Sequence, residues 1–324
     1  LKKILEAIYE PRFLNCMYGF RPNRGCHDAI KELYKRLNNT KICYIVDADI
    51  KGFFDHMKHE WIIKFLNLYI KDPNIIGLVK KYLKVGVLDG GEQMMNEEGS
   101  AQGNIISPIL ANIYMHNVLT LWYKFIITKE CKGDNFLIVY ADDFVAGFQY
   151  KWEAENYYKL LKERMEKFGL QLEESKSRLL QSGAYIARAK QKSGESTRLE
   201  TFDFLGFTFY CGRSRKGMPY IMPKTSSKKF RQKIRDIKVW LYANRDQSLK
   251  KLMGMLNLKL VGHYKYYGIS FNGRMISNYK QQVRELLFKV LNRRSDRKSY
   301  TREGFIEMLK YYPLALPKIY VSLF

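Results

Sequence analysis

The sequence predicts an α+β fold in which an antiparallel sheet precedes an all-helical, basic domain. The apolar runs Phe136 to Tyr140 and Phe144 to Phe148 are separated only by Ala-Asp-Asp, a spacing that predicts a tight antiparallel hairpin. A third β-rich run, Cys43 to Ile50, predicts another strand. After Pro223 the apolar residues follow a helical period, with no comparable β run until the end of the chain, which predicts the change of domain.

Helices and strands alternate up to Pro223. Apolar periodicity predicts the elements, and Gly and Pro mark the turns between them. After the first strand the predicted elements are helices over His56 to Ile70 and Asn74 to Leu83, a hairpin and loop over Gly86 to Gly103, a helix over Ile109 to Thr128, the strand hairpin, a helix over Trp152 to Phe168, a polar loop over Lys190 to Arg198, and a β run over Phe202 to Tyr210 before a turn-rich segment.

Four helices are predicted beyond the boundary near Pro223, and this part of the chain carries most of the charge. Residues 224–324 contain 23 Lys and Arg against 6 Asp and Glu, which is 17 of the 24 net positive charges. We therefore predict two domains, residues 1–223 and 224–324. The four helices cover Ser226 to Ala243, Gln247 to Tyr267, Ile276 to Asn292 and Arg302 to Tyr311.

The net charge of +24 over 324 residues predicts attraction to a polyanion. An anionic membrane surface is an alternative to nucleic acid, but the most apolar run, Ile105 to Ile127, is interrupted by residues such as Asn112 and Lys124 and predicts no membrane span. The five cysteines are scattered without a CxxC pair, which argues against a disulfide framework or a zinc site and favours a reducing, cytoplasmic setting. Nucleic acid is the favoured partner.

A pair of aspartates, Asp142 and Asp143, occupies the turn of the predicted hairpin, and Asp49 ends the first predicted strand. Nucleotide transfer to a 3′-hydroxyl uses two divalent cations about 3.5–4 Å apart, and magnesium prefers oxygen ligands such as carboxylates. Strand alternation places Asp47 on the same face as Asp49, and Asp55 follows closely, so spacing alone leaves the third ligand open. An ordinary solvated turn is the alternative to a metal site.

The motifs around these aspartates resemble those of a known family. YADD at Tyr140 to Asp143, ADIKGFFD at Ala48 to Asp55 and GSAQGNIISPILANIY at Gly99 to Tyr114 are similar to the palm motifs of reverse transcriptases, most closely those encoded by group II introns. Further matches in the family's order are YGFRPNRGCHDAI at Tyr18 to Ile30, GLQLEESKSR at Gly169 to Arg178, FLGF at Phe204 to Phe207, LNLKLVGHYKYYGIS at Leu256 to Ser270, LNRRS at Leu291 to Ser295 and PLALPKI at Pro313 to Ile319.

The resemblance implies a right-hand polymerase fold. Residues 1–223 would form an antiparallel palm sheet with partial fingers, and residues 224–324 an all-helical thumb similar to the maturase X domain. The chain starts at Leu1 without an initiator methionine, so we expect further fingers residues to precede it. We expect no endonuclease module in this chain.

The resemblance also assigns roles to individual residues. It selects Asp49 over Asp47 and implies a catalytic set of Asp49, Asp142, Asp143 and Lys176. Two magnesium ions, for which manganese can substitute, would be bound at Asp49, Ile50, Asp142 and Asp143. The ammonium of Lys176 would protonate the leaving pyrophosphate or stabilise its charge. An exposed lysine beside two glutamates is the competing interpretation of Lys176.

Other residues are implied to contact the nucleotide and the primer. Phe54 would clash with a 2′-hydroxyl and favour deoxynucleotides, although a core phenylalanine is the alternative. Gln102 and Gly103 match the nucleotide-pocket motif, and Ala101 and Asn104 depart from its usual residues. Arg21 is a candidate contact to nucleotide or template. The primer grip is implied at Phe204, Leu205 and Gly206, where core packing explains the phenylalanine equally well.

The basic helices fit the family's thumb, which holds a template–primer duplex. Lys228, Lys229, Arg231 and Arg235 are the candidate phosphate contacts, and they predict salt-dependent binding with little sequence preference. The tyrosines Tyr264, Tyr266 and Tyr267 pack against sugars in one interpretation and stabilise their helix in the other.

The resemblance implies an RNA-directed DNA polymerase that takes an RNA template, a DNA primer and deoxynucleoside triphosphates. It also implies binding to a group II intron RNA to assist splicing. Three alternatives stay open at this point. One is a splicing maturase with little polymerase activity, and another is a reverse transcriptase of retron, diversity-generating or CRISPR-linked type. An RNA-dependent RNA polymerase is the third, disfavoured by Phe54 and Ala141.

Overall fold

The computed structural model describes residues 1–84, 88–89, 92–93, 98–99, 105–294 and 299–324. The chain divides into two compact units, the first comprising Leu1–Leu205 with Cys211–Ile221 and the second Gly206–Tyr210 with Met222–Phe324. The predicted α+β class with an antiparallel sheet and a helical carboxyl-terminal part is confirmed. None of the described helices is long and apolar enough to cross a membrane.

Helices and strands alternate through the first two thirds of the chain. The helices there are α1 (Lys2–Tyr9), α2 (Cys26–Asn39), α3 (Phe53–His56), α4 (His59–Leu66), α5 (Pro73–Lys84), α6 (Ser107–Met115), α7 (Thr128–Glu130), α8 (Lys151–Lys167) and α9 (Ala184–Lys192). The strands are β1 (Tyr44–Ala48), β2 (Leu88–Asp89), β3 (Glu92–Gln93), β4 (Asn135–Tyr140), β5 (Asp143–Phe148), β6 (Arg178–Gln181), β7 (Phe202–Phe204), β8 (Phe207–Arg213) and β9 (Pro219–Thr225).

The central sheet has the order β4-β5-β1-β6, and its neighbours are antiparallel. In the β1–β5 register, Tyr44 lies opposite Phe148 and Ala48 lies opposite Phe144. Both phenylalanines are almost fully buried, and Phe148 packs against Tyr157 of α8 at a ring distance of 5.0 Å. Apolar side chains therefore lock the register of the strands whose ends carry the aspartates.

The predicted helix over residues 109–128 is observed as α6 and α7 joined by two π-helical segments, His116–Thr120 and Tyr123–Ile127. Side chains compete for the helix carbonyls in this region. Asn117 donates to the carbonyl of Ile113 at 2.8 Å, and Thr120 donates to that of His116 at 3.1 Å. Such bonds to the residue four positions earlier disturb the regular α pattern.

The prediction of a single β run over residues 202–210 was wrong in one respect, because these residues form a hairpin of β7 and β8. Leu205 and Gly206 form its two-residue turn with φ of 48° and 79°. Two positive φ values are typical of the tight turns that match strand twist. The strand β6 and helix α9 were not predicted, and α9 covers the first residues of the expected polar loop.

Strand β9 includes Pro223, which the sequence placed in a turn-rich segment. The three-stranded sheet has the order β7-β8-β9, so β9 is an edge strand. An edge strand tolerates proline because the missing N–H can face away from the ladder.

The second unit contains the predicted helices in the predicted order. They are α10 (Ser227–Ala243), α11 (Leu249–Tyr267), α12 (Gly273–Leu291) and α13 (Arg302–Tyr311). Asn272, which is fully buried, accepts from the Thr225 N–H and donates to Thr225 Oγ1 and to the Tyr267 carbonyl, each at 2.8 Å. All three bonds are buried, so this side chain ties the end of β9 to α11 and the start of α12.

Candidate active site

The two consecutive aspartates lie where the β4–β5 hairpin turns. Tyr140 pairs with Asp143 at the end of the ladder, and Ala141 adopts a left-handed φ of 58°. Ala141 is buried, Asp142 is half-buried and Asp143 is exposed. The strained turn thus places two carboxylates at the tip of a buried hairpin, as its apolar flanks predicted.

A segment near the amino terminus supports this turn from outside the sheet. The Val139 N–H donates to the Cys16 carbonyl, and the Tyr18 N–H donates to the Val139 carbonyl, both at 2.8 Å. The carbonyl of Gly19 accepts from Asn112 Nδ2 of α6 at 2.8 Å in a buried bond. These contacts hold residues 16–19 against the residues that precede Asp142.

Asp49 lies one residue beyond the end of β1. Since Ala48 is opposite Phe144 in the antiparallel register, the next step of the register brings Asp49 level with Asp143. Burial raises the pKa of Asp142, and the negative charge of Asp49 raises it further. The three sequence-predicted aspartates therefore lie at the same end of the central sheet, and we call them the acidic group.

Lys176 is positioned by the chain that follows α8. This chain runs beside residues 49–51, because the Lys51 N–H donates to the Gln171 carbonyl at 2.9 Å and the Glu173 N–H donates to the Asp49 carbonyl at 2.8 Å. The turn that follows brings Lys176 Nζ to 2.7 Å from Asp49 Oδ2. This hydrogen bond and the charge of Asp49 raise the pKa of Lys176.

Asp47 shares the strand face of Asp49, as alternation predicted, but has a different partner. Its Oδ2 lies 3.7 Å from Arg178 Nε across the β1–β6 pair. Burial raises the pKa of Asp47 to about 7, opposed by Arg178 and increased by nearby carboxylates that include Asp143. Asp47 thus forms an ion pair inside the sheet, whereas Asp49 lies at its end.

The donor types of this group fit magnesium. Carboxylates are its preferred protein ligands, and the repulsion between Asp142 and Asp49 is the kind that a cation offsets. Ile50 can contribute only its backbone carbonyl, and it forms an isolated antiparallel bridge with Leu172. Across the described part of the chain, no group of three or more His, Cys, Asp or Glu side chains is close enough together to hold a metal ion by itself. Within the acidic group, Asp49 accepts a hydrogen bond from the ammonium of Lys176.

The expected nucleotide contacts of Phe54, Gln102 and Gly103 stay predictions, and of the three only Phe54 lies within the described residues. Phe54 is half-buried on α3, with its ring 5.4 Å from that of Phe53. Gln102 and Gly103, like Ala101 and Asn104, lie outside the described residues.

The candidate contact of Arg21 to nucleotide or template stays a prediction, and the structure shows the partners that this side chain has within the chain. Its side chain is buried and donates to the Glu10 carboxylate at 2.7 Å and to the carbonyls of Leu14 and Met17 at 2.8 and 3.0 Å. The guanidinium is therefore committed to holding residues 10–17, since these contacts use both of its terminal nitrogens. Within its motif, Arg21 therefore stabilises the fold of the preceding segment.

The remaining predicted residues lie in the β7–β8 hairpin and on α10. Phe204 is buried, and Leu205 and Gly206 form the tight turn. The α10 residues Lys228, Lys229, Arg231 and Arg235 are all exposed.

Sequence reasoning missed Gly19 and Asn112 as residues that support the turn of Asp142 and Asp143. Asn112 left a signal in the sequence, because it interrupts an apolar helical run. In the structure its side chain is buried, with 1% exposed. A buried amide in such a helix requires a hydrogen-bond partner. Gly19 lies within the quoted motif at Tyr18 to Ile30, but nothing local shows what it approaches.

The chain belongs to the reverse transcriptase (RNA-dependent DNA polymerase) family, whose model matches residues 1–209. Residues 227–306 match the group II intron maturase-specific domain. Together the two matches confirm the group II intron-encoded type.

Two curated relatives show the extent of the similarity. Group II intron-encoded protein LtrA of Lactococcus lactis subsp. cremoris is 40% identical over 131 residues, which cover 40% of this chain and 21% of that protein. An uncharacterized 91 kDa protein in the cob intron of Schizosaccharomyces pombe is 42% identical over 119 residues, which cover 36% of this chain and 14% of that protein. The chain thus spans about a fifth or less of the length of these relatives. Among solved structures, a telomerase from Candida albicans in complex with a fragment of telomeric RNA matches with a TM-score of 0.47 and 13% identity, over 95% of this chain and 52% of that one.

Proposed function

We propose that this chain is the catalytic part of an RNA-directed DNA polymerase that extends a DNA primer on an RNA template with deoxynucleoside triphosphates. The observation that carries the proposal is the acidic group at one end of the central sheet. Asp49 comes level with Asp143 in the strand register, Asp142 is close enough for its pKa to respond to Asp49, and Lys176 adjoins Asp49.

The proposed chemistry follows from the residues of this group. Divalent cations, when bound, supply Lewis-acid activation of the attacking 3′-hydroxyl and stabilise charge on the phosphates. The carboxylates of Asp49, Asp142 and Asp143 and the carbonyl of Ile50 would hold two magnesium ions. Lys176 carries a raised pKa, so its ammonium is protonated at neutral pH and can stabilise or protonate the leaving pyrophosphate.

Primer extension tests this proposal directly. The protein that contains this chain is incubated with an RNA template, a DNA primer, deoxynucleotides and magnesium, and the products are sized with and without a chelator. Magnesium-dependent extension of the DNA primer is expected. Retained binding of intron RNA without any extension would instead establish a splicing maturase that lacks polymerase activity.

Replacing Phe54 with Ala should weaken the preference for deoxynucleotides over ribonucleotides. A steric clash costs about 1–3 kcal/mol, so its removal raises ribonucleotide use by about 5- to 150-fold. The ratio of kcat/KM for the two nucleotide classes measures the effect. Phe125→Ala, which removes an exposed phenylalanine of the same unit, is the control. An unchanged ratio in Phe54→Ala would remove the argument for deoxynucleotide selection by this ring.

We propose a second role in binding group II intron RNA, consistent with the match of residues 227–306 to the maturase-specific domain. The exposed cations of α10 and the concentration of positive charge in residues 224–324 support it. Phosphate contacts of this kind bind RNA and a template–primer duplex alike. The same match favours the intron type over retron, diversity-generating and CRISPR-linked enzymes.

Changing Lys228, Lys229, Arg231 and Arg235 together to Gln should weaken nucleic-acid binding and reduce its salt dependence. Four lost phosphate contacts lower the slope of log K against log salt by up to about 4. Binding titrations at several salt concentrations measure this slope. The control removes four exposed lysines, Lys71, Lys80, Lys81 and Lys84, from the first unit. Equal slopes in wild type and the α10 variant would place the binding surface elsewhere.

A further inference from the structure

The ammonium of Lys176 takes a carboxylate oxygen that the proposed cations also require. Lys176 Nζ donates to Asp49 Oδ2 at 2.7 Å, a short bond between two charged groups. Magnesium binds carboxylate oxygens at about 2.0–2.1 Å. A dication on the same oxygen would lie within roughly 5 Å of the ammonium, where like charges repel each other. The two positive groups therefore compete for Asp49.

The backbone supports this contact, because both backbone polar groups of Asp49 are bonded to the turn that carries the lysine. The Asp49 carbonyl accepts from the Glu173 N–H at 2.8 Å, and the Asp49 N–H donates to Ser177 Oγ at 3.2 Å. The turn is closed by a bond of 2.9 Å from the Ser177 N–H to the Glu173 carbonyl. We call residues 173–177 the Lys176 turn. Its bonds keep the base of the lysine side chain beside Asp49.

The two glutamates beside Lys176 have other partners. The carboxylate of Glu174 pairs with Lys162 of α8 at 2.8 Å. The carboxylate of Glu173 accepts from a serine hydroxyl of the same turn, also at 2.8 Å. Among the described residues, the ion pair of Lys176 is with Asp49. The ammonium thus contacts the acidic group, although two glutamates are nearer in the sequence.

The ion pair is open to solvent and can exchange its partners. The side chain of Lys176 is 61% exposed and that of Asp49 is 33% exposed. Exposed ion pairs contribute little to stability, so little is lost when one opens. The described residues contain no group of three metal-ligating side chains that could hold a cation by itself. Releasing Asp49 from Lys176 therefore frees a carboxylate that the acidic group needs in order to hold a cation.

We propose that Lys176 competes with divalent cations for Asp49, so that this ion pair sets the cation affinity of the acidic group. The inference rests on the proposed function, which assigns the cations to Asp49, Asp142 and Asp143. Cation binding then opens the ion pair and frees the ammonium. Lys176 thus becomes available to the leaving pyrophosphate only when a cation is bound, which links this role to its proposed part in catalysis.

Manganese binding to the protein alone tests the competition, with neither nucleic acid nor nucleotide present. Electron paramagnetic resonance of free Mn²⁺ measures the affinity, and the binding lost in an Asp142→Asn, Asp143→Asn variant defines the share of the acidic group. Lys176→Met keeps most of the side chain and removes its charge, so it should bind Mn²⁺ about 2- to 5-fold tighter than wild type. Lys176→Arg should stay within about twofold of wild type, because a guanidinium also pairs with a carboxylate.

The matched control is Lys162→Met, which removes a lysine charge paired with Glu174 of the same turn. Its Mn²⁺ affinity should equal that of wild type. Equal or weaker binding in Lys176→Met, at an unchanged melting temperature, would overturn the competition. An equal gain in Lys162→Met would overturn it as well, because the effect would then follow from net charge alone.

Primer extension separates this inference from the proposed function. In Lys176→Met the magnesium concentration for half-maximal extension should fall, while the maximal rate also falls because the proposed proton donor is missing. A wild-type protein that binds Mn²⁺ at the acidic group without extending a primer would overturn the proposed function alone.

Discussion

Changing Asp142 and Asp143 together to Asn should abolish RNA-templated DNA synthesis. Asn keeps the size and turn preference of Asp, so the hairpin tip is retained while two negative charges are removed. The cations that these carboxylates would hold contribute several kcal/mol of charge stabilisation, and each 1.36 kcal/mol is a factor of ten. A loss of on the order of 1,000-fold or more is therefore expected.

Single-turnover primer extension measures this loss, and template–primer binding is measured in parallel. Binding should be retained or slightly tightened, because removing acidic charge does not weaken attraction to phosphates. Asp246→Asn is the matched control, since its carboxylate is 85% exposed in the second unit. Synthesis by the double variant within tenfold of wild type would show that the metal site lies elsewhere.

Gly19→Ala should lower the rate of synthesis about 10- to 100-fold while leaving the protein folded. A Cβ at residue 19 would lie 2.4 Å from the Ala141 nitrogen and 2.9 Å from the Tyr140 carbonyl carbon. Neither the Gly19 segment nor the hairpin turn can move away easily. Tyr18 and Val139 are hydrogen-bonded to each other, and Asn112 donates a hydrogen bond to the Gly19 carbonyl. The turn that carries Asp142 must shift by roughly half an ångström or more, and misplacements approaching 1 Å cost up to about 100-fold.

The comparison that isolates this effect is Gly77→Ala. A Cβ at Gly77, inside α5, meets nothing within 4 Å, so this change should be neutral or stabilising by up to about 1 kcal/mol. Gly19→Ala is expected to cost about 1–3 kcal/mol of folding stability through overpacking. Thermal unfolding and kcat are measured for both variants. Equal kcat values would mean that the turn does not depend on the support from residues 16–19.

Lys176 and Arg21 have different kinds of partner in the structure. Both residues lie in matched motifs, and both were expected near the nucleotide. Lys176 lies 2.7 Å from Asp49, whereas Arg21 binds Glu10 and two backbone carbonyls. A matched motif specifies which residues are present, but the partners of a long cationic side chain depend on the segments that fold around it.

The sequence by itself determined the features that depend on local pattern. Apolar flanks around Ala-Asp-Asp predicted the hairpin, helical periodicity predicted α10 to α13, and motif order predicted the family. These inferences succeed because secondary structure follows from residue spacing over short distances. The hairpin turn at Leu205 was missed because a leucine at positive φ contradicts its local preference and is held there by its surroundings.

Only the tertiary structure decided which residues meet. The register of β1 against β5 brings Asp49 level with Asp143, and the β1–β6 pair gives Asp47 its Arg178 partner. The approach of Gly19 to Ala141 and of Gly99 to Asp55 joins residues far apart in the chain. Such contacts depend on packing between segments distant in sequence, and a single sequence carries no local signal for that packing.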